Sequence, residues 1–196
     1  MLPGQVPAEG AGALWNLHVS VRPLQGEHAP ADGGQRAEGL LFNSGGAGAR
    51  STLDGLSATA FPSGVHSMSI EATEHVGPVI FWRKELRDGS GGAGQFRGGL
   101  GQVVEISPTD GHEMHFNAMF DRVDHPPRGR EGGENGAAGA VLLDDGTRLA
   151  TKGRQHVPAG RRLILQLPGG GGYGPVEKRD ADAAKRDTDF DYVIAQ

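Results

Sequence analysis

Several features that define common protein classes are missing from this chain of 196 residues. It has no cysteine, which excludes disulfides and thiolate metal ligands and suits a reducing compartment. No apolar run approaches the roughly 18 residues of a membrane-spanning helix, and the start of the chain lacks a targeting segment. The net charge is −5, without a basic cluster that could follow nucleic-acid phosphates. These absences predict a soluble, cytoplasmic protein that binds neither nucleic acid nor membrane.

Glycine is the residue that the chain has in excess. Its 34 glycines and 12 prolines are interleaved with short apolar runs and do not form one tract. This composition is typical of tight turns that join short strands. The sequence therefore predicts a single domain over residues 1–196, of the α+β class and β-rich. Its short, mostly antiparallel strands are joined by glycine-rich loops and followed by a short C-terminal helical segment.

Alternation of apolar and polar residues predicts most of the strands. Between Leu14 and Arg22 an apolar side chain recurs at every second position, the pattern of a strand with one buried face. Similar patterns or short apolar runs predict further strands over 40–42, 79–86, 102–107, 114–120 and 163–167.

Two connecting segments carry signals of their own. Asp145-Gly146 predicts a two-residue type I′ turn between strands over 140–143 and 148–150, because Asp-Gly tolerates the positive φ of that turn. Residues 23–39 are rich in glycine, proline, alanine and charge, so they can bury little apolar surface. They are predicted to form a long, flexible surface loop.

Helical signals are sparse. One short helix is predicted over 67–75, with Ser67 as its N-cap and Gly77-Pro78 as its stop. A second is predicted over 176–186, where acidic residues come early and basic residues late, as the helix dipole favours.

Three glycine-rich loops, over 43–50, 88–99 and 168–175, are either structural corners or cradles whose backbone N–H groups bind an anion. None matches a nucleotide-binding P-loop, which needs Gly-Lys and a hydroxyl residue at the start of a helix. We expect the segment over 90–101 to be a rigid turn, in which a positive φ would make Gly92→Val costly. Another chain or segment must then hold most of any ATP that is used.

Titratable residues near the middle of the chain give weak signals of chemistry. His112 and His115 are three apart in a predicted strand, which sends them to opposite faces, so both are predicted to be surface histidines and no metal site is assigned. Asp121, Asp124 and His125 precede a proline break. They are either a cluster able to bind a metal or act as acid and base, or ordinary exposed loop residues.

Hydroxyl and guanidinium groups beside the glycine loops leave similar alternatives. Ser44 and Ser90 precede Gly-Gly steps but lack the strand-turn-helix elbow of a serine nucleophile. Arg50 and Arg97 each close a glycine loop. They either clamp a carboxylate or phosphate or, as we expect, hold loop carbonyls with their planar fork of donors.

Four groups of residues occur in an order that is typical of one protein family. They are GGAGAR over 45–50 with Asp54-Gly55, IEATE over 70–74, SGGAG over 90–94 with RGGLG over 97–101, and PGGGGYG over 168–174. Each alone would be a glycine-rich coincidence. Together, between residues 40 and 180, they resemble the C-terminal part of hydantoinase B.

The resemblance implies part of an ATP-dependent hydrolase that opens cyclic amides, of the hydantoin or 5-oxoproline type, with an ATP-binding partner of the A type. It implies ATP and a divalent metal for the complete complex, and no cofactor held by this chain alone. The chain is far shorter than the family, and the region where the family's His and Asp metal ligands are expected has no counterpart in it. An amino-terminal B-type segment is therefore a second expected partner.

The same resemblance leaves two other functions open. The chain is alternatively part of an acetone-carboxylase-like enzyme, or a non-catalytic remnant that serves as an assembly module. No catalytic residue is assigned. The candidates for a loop, substrate or interface role are the motif residues Gly45, Gly46, Arg50, Asp54, Glu71, Ser90, Gly91, Gly92 and Arg97.

Overall fold

The computed structural model describes residues 4–31, 33–59 and 69–193. Its helices and strands in chain order are β1 Trp15–Pro23, β2 Ala37–Asn43, α1 Ile70–Val76, β3 Val79–Leu86, β4 Gln102–Pro108, β5 His112–Met119, β6 Ala140–Leu143, β7 Lys152–Val157, β8 Leu163–Gln166 and α2 Ala181–Asp189. The β-rich α+β class is thus confirmed. Within these ranges no helix is long and apolar enough to cross a membrane.

The strands form two four-stranded sheets. The first has the order β2-β1-β5-β7 and the second the order β3-β4-β8-β6. Every pairing in both sheets is antiparallel, as the short strands and tight connections of the sequence predict.

Buried residues of both sheets form one hydrophobic cluster. β1 contributes its alternate side chains, from Trp15 to Val21, and Trp15 stacks on Phe120 with ring centroids 4.4 Å apart. Residues of the second sheet, among them Val104 and Leu165, belong to the same cluster. The outer face of the first sheet is polar, because the intervening residues of β1 and β5 point away from this core.

One prediction near the start of the chain needs correction. Residues 23–39 are not one long loop, because β2 already begins at Ala37 and a 3₁₀ turn occupies Gly26–His28. Ala37 to Gly39 show no strand alternation, but they pair with Val21 to Val19 of β1, which supplies the hydrogen-bonding partners.

The first helix also differs from its prediction. It begins at Ile70, and its N-cap is Ser69, whose hydroxyl accepts a hydrogen bond from Ala72 N at 3.2 Å. The predicted cap, Ser67, lies outside the described residues.

The Asp-Gly hairpin exists, but its turn type was predicted wrongly. Gly146 has φ +85°, whereas Asp145 is not in the positive-φ region that a type I′ turn requires at both central positions. Gly146 N donates to Leu143 O, and Leu143 N donates to Thr147 O. The connection is therefore a three-residue loop closed by one left-handed glycine, a common hairpin alternative.

The last third of the chain contains two further differences. The predicted strand over 148–150 is reduced to an isolated bridge between Leu142 and Arg148, and the real strand is β7. Its residues are mostly exposed at the sheet edge, so the sequence carries no apolar alternation there. The predicted helix over 176–186 is a 3₁₀ turn at Val176–Lys178 followed by α2, whose N-cap is Asp180.

Candidate functional site: the glycine layer and its cleft

The glycine motifs meet in one place. Segments 45–49, 91–99, 129–136 and 168–174, which we call the glycine layer, run beside one another outside the two sheets. Their backbones bond directly, as in Gly46 N to Pro168 O at 3.0 Å, Gly92 N to Gly170 O at 2.8 Å and Gly170 N to Gly99 O at 2.8 Å. The last glycine motif therefore passes between the other segments and bonds to several of them.

Glycine is needed in this layer because backbone occupies the space of a side chain. A Cβ on Gly170 would overlap the carbonyl of Ala47 and lie 2.8 Å from Gly48 N. A Cβ on Gly92 would overlap the carbonyl oxygen of Glu134 and lie 2.8 Å from Gly172 N. The positive φ that we expected at Gly92 is absent, so close backbone approach is the reason for this glycine.

The arrangement does not fit a phosphate cradle. Gly46 N and Gly92 N donate to carbonyls of the layer, Gly98 N donates to Gly92 O, and Gly99 N donates to Ala47 O. A cradle needs such N–H groups free to point at an anion. These glycine-rich loops therefore act as structural corners of the fold.

A buried network of charges fastens α2 to the glycine layer. Asp187 receives Arg97 Nε at 3.1 Å and an Arg179 nitrogen at 2.5 Å. Arg179 also binds both carboxylate oxygens of Asp54 at 3.0 Å. Arg97 and Asp187 are only 6% and 5% exposed, and Arg97 further lies over the ring of Tyr192. The Arg97–Asp187 pair is therefore shielded from water, and opposite charges attract each other more strongly in such surroundings than in water.

Two site candidates, Asp54 and Arg97, are thus ionic partners inside the fold. Burial alone would raise the pKa of the Asp54 carboxyl, but hydrogen bonds from Arg179 and from Arg97 N outweigh it and hold that pKa below its usual range. Arg97 also donates to Gly98 O at 2.6 Å, which is the loop-carbonyl role expected of it.

Sequence reasoning missed Asp187 and Arg179. Asp187 lies in the segment ADAAKRDTD, whose charged residues are typical of a solvent-exposed helix. Seven of its nine residues are indeed exposed, and Asp187 is the buried one. No spacing in the sequence distinguishes it from Asp182 or Asp189.

The other candidate side chains form no ion pair with this network. The hydroxyl of Ser90 donates to Arg87 O at 2.5 Å and accepts from Gly101 N at 2.9 Å, so it stabilises this turn. Arg50 is exposed and donates to Asp54 O at 3.2 Å. Glu71 is exposed in the first turn of α1.

A cleft of about 700 Å³ opens beside the glycine layer. It is lined by residues 4–5, 7–14, 16, 45–48 and 50–51, together with Leu56, Thr59 and Arg122. The candidates Gly45, Gly46 and Arg50 meet here, whereas Ser90 and Arg97 do not line it. Leu56 is 52% exposed at its edge, and Asn16 Oδ1 is shielded from water without a hydrogen-bond partner. The cleft thus offers apolar surface and an unused acceptor.

Glu9 secures one wall of the cleft. Its carboxylate accepts from Arg128 Nε at 2.8 Å and from an Arg122 nitrogen at 2.8 Å. The side-chain and backbone hydrogen bonds of Arg128, helped by the charge of Arg122, lower the pKa of Glu9 to about 2. Glu9 therefore remains a carboxylate at any pH near neutrality.

We expect Glu9→Gln to lower the free energy of unfolding by about 1 kcal/mol at neutral pH, since partly exposed ion pairs contribute little. Because the folded pKa of about 2 lies below the ordinary 4.5, the stabilisation is complete above pH 4.5. It should disappear as the pH falls from 4.5 towards 2. Urea unfolding of both proteins across this range measures it. A difference that stays constant with pH would contradict the assignment.

The histidine and aspartate clusters also have definite places. Asp121, Asp124 and His125 are exposed, and Asp121 pairs with Lys152 at 2.8 Å. His112 is buried at 5% exposure, so its prediction as a surface residue was wrong. His115 does lie on the opposite face of β5, as the strand geometry required.

Comparison with known proteins assigns the chain to a family. Residues 1–176 match the profile of the family described as Hydantoinase B/oxoprolinase. The chain is 31% identical to the caprolactamase beta chain of Pseudomonas jessenii over 196 aligned residues, which is 89% of this chain and 32% of that protein. It is 36% identical to 5-oxoprolinase 1 of Arabidopsis thaliana over 135 residues, which is 66% of this chain and 10% of that protein.

Two solved structures share the fold. The ATP-dependent caprolactamase from Pseudomonas jessenii superposes with a TM-score of 0.79 at 24% identity, over 98% of this chain and 34% of that one. Nucleotide-free acetone carboxylase superposes with a TM-score of 0.70 at 16% identity, over 97% of this chain and 29% of that one. The chain thus shares its fold with both structures, and the protein belongs to the Hydantoinase B/oxoprolinase family. It spans about a tenth to a third of the length of these curated relatives.

Proposed function

We propose that the chain is the C-terminal part of a B-type subunit in an ATP-dependent hydrolase that opens cyclic amides. The observation that carries this proposal is the match to the caprolactamase beta chain over 89% of the chain, joined to a shared fold. Relatives named as a 5-oxoprolinase and as the B chain of a D-/L-hydantoinase support the same substrate class. The acetone-carboxylase fold keeps a related carbonyl-activating enzyme as the alternative.

We assign ATP binding, metal binding and subunit contact to different chains. Gly46 N, Gly92 N and Gly99 N of the glycine layer donate to its own carbonyls, so ATP is assigned to an A-type partner and not to this chain. The divalent metal of the complete complex is assigned to an amino-terminal B-type segment, as the family resemblance implies. What this chain supplies is a rigid surface at the boundary between subunits. Its working compartment is expected to be the cytoplasm.

The cleft beside the glycine layer is the surface proposed to receive the amino-terminal B-type segment. Roughly two thirds of a B-type protein such as the caprolactamase beta chain have no counterpart in this chain. Leu56 is half exposed in the cleft, and covering such apolar surface by protein is favourable. A hydrogen-bond donor of the docked segment would satisfy the unpaired Asn16 Oδ1. Glu9 and Arg122 fix the wall against which the segment would pack.

We expect Leu56→Asp to abolish copurification with the amino-terminal B-type chain, because it places a charge in an apolar contact. Leu56 is half exposed, so the melting temperature should change little. Leu40→Asp is the matched control, since Leu40 is 46% exposed on β2 and does not line the cleft. Equal recovery of the wild type and both variants would show that the cleft is not the docking surface.

An assembly module without catalytic function is the second candidate. It is favoured because Ser90, Asp54 and Arg97 are all engaged in internal bonds, which leaves no complete set of nucleophile, acid and base among the described candidates. The two functions differ in one measurable respect. A module binds its partners without being required for ring opening.

A further inference from the structure

A second cluster of side chains lies on the outer face of the first sheet, away from the cleft residues. Glu113 and His115 are two apart on β5, so their side chains share one face of the strand. His156 on β7 is directly opposite His115 in the antiparallel register. Their ligand atoms, one from each residue, lie within 4.8 Å of one another.

We propose that Glu113, His115 and His156 form a binding site for a borderline divalent transition metal such as Zn²⁺. Two imidazoles and one carboxylate are a ligand set that zinc uses, with the remaining position left for water. Mg²⁺ and Ca²⁺ prefer sets of oxygen ligands and do not suit it. Within the described ranges this is the one group of at least three His, Asp or Glu side chains close enough for shared coordination.

The hydrogen bonding of the cluster favours a ligand. His156 Nε2 lies 3.0 Å from Glu113 Oε2, and the rings of His115 and His156 stack with centroids 4.6 Å apart. His115 Nδ1 is shielded from water without a hydrogen-bond partner, which is an unfavourable state for a ring nitrogen. A metal ion coordinated through this nitrogen would satisfy it.

Charged residues around the site point to moderate affinity. Glu113 brings a negative charge. Arg22, which is opposite Glu113, and Arg154 oppose a cation. We therefore expect weaker binding than that of a structural zinc centre.

Calorimetric titration of the full chain with Zn²⁺ tests the proposal. The wild type should bind one ion, and His115→Ala, His156→Ala and Glu113→Gln should each weaken binding roughly tenfold or more, as losses of metal-site groups do. His18→Ala is the matched control, because His18 is an exposed histidine on the same face of the sheet and outside the cluster. It should bind like the wild type.

Two outcomes would overturn the site. One is a wild type that binds Zn²⁺ no better than the His115→Ala variant. The other is a loss of binding in His18→Ala that equals the loss in His156→Ala. Circular dichroism of each variant checks that the sheet has formed, and Glu113→Gln retains the shape of the side chain if a histidine variant fails to fold. The titration needs neither partner chains nor ATP, so its result is separate from that of the proposed function.

Discussion

Gly170→Ala is expected to prevent or severely weaken folding, although it adds a single methyl group. That methyl would overlap the carbonyl of Ala47 where the backbones of the glycine layer touch. Relief requires separation of segments that bond through Gly92 N and Gly170 N, so the cost should reach about 3 kcal/mol or more, the upper end of overpacking effects. Thermal unfolding should show a melting temperature lower by roughly 6–12 °C for a chain of this size.

Substitutions at two other glycines distinguish the cost of a steric clash from the cost of a strained backbone. Gly39→Ala adds a methyl where the nearest atom is a Val19 methyl at 3.7 Å, so we expect no loss of stability. Gly160→Ala, at φ +73° with open space around it, should cost only the ~1–2 kcal/mol of a left-handed conformation. Gly92→Val should behave like Gly170→Ala. Unchanged melting temperatures for Gly170→Ala and Gly92→Val would show that the layer is not closely packed.

Asp187→Ala should be the most damaging change at a charged residue. It leaves the guanidinium of Arg97 buried without its carboxylate partner and removes one partner of Arg179. Breaking a buried ion pair from one side costs about 3–5 kcal/mol. Asp189→Ala on the same helix is the control, because Asp189 pairs with Lys185 in solvent, and such pairs contribute about 0.5 kcal/mol or less. Urea unfolding of the two variants compares them directly.

Arg97→Lys distinguishes a role of Arg97 in stabilising the fold from a role in binding a substrate or partner. Arg97→Lys retains the charge but loses the planar fork that bonds Asp187 and Gly98 O. The network predicts a lower melting temperature for this variant. If Arg97 instead bound a substrate or partner phosphate, the reconstituted activity would fall while the melting temperature stayed nearly the same.

The sequence predicted the strands that have apolar alternation or a short apolar run, and it missed β7, which has neither. β1 was evident because Trp15 to Val21 place every second side chain in the core. β7 was not, because it is an edge strand whose residues from Lys152 to His156 are all exposed or half-exposed. A strand of this kind is stabilised by backbone pairing with β5, and that pairing cannot be predicted from the local composition.

The glycine motifs were visible in the sequence, but their physical role was not. Conformational freedom was the expected reason for Gly92, whereas the structure assigns it to contact with residues about 40 and 80 positions away, at Glu134 and Gly172. The same limit applies to Asp187, which lies 90 positions from Arg97 and in a helix that resembles a solvated one. Long-range contacts of this kind leave no periodic signal in one sequence.

Reconstitution of ATP-dependent ring opening tests the central claim most directly. The A-type partner and an amino-terminal B-type chain would be purified and assayed with caprolactam, 5-oxoproline and hydantoin, with and without this chain. Both the ring-opened product and ADP would be measured. We predict turnover of a cyclic amide only when all three chains are present, lost when this one is withheld and restored when it is added back. Equal activity of the two partners without it would contradict the proposed function and leave an assembly module or remnant as the explanation.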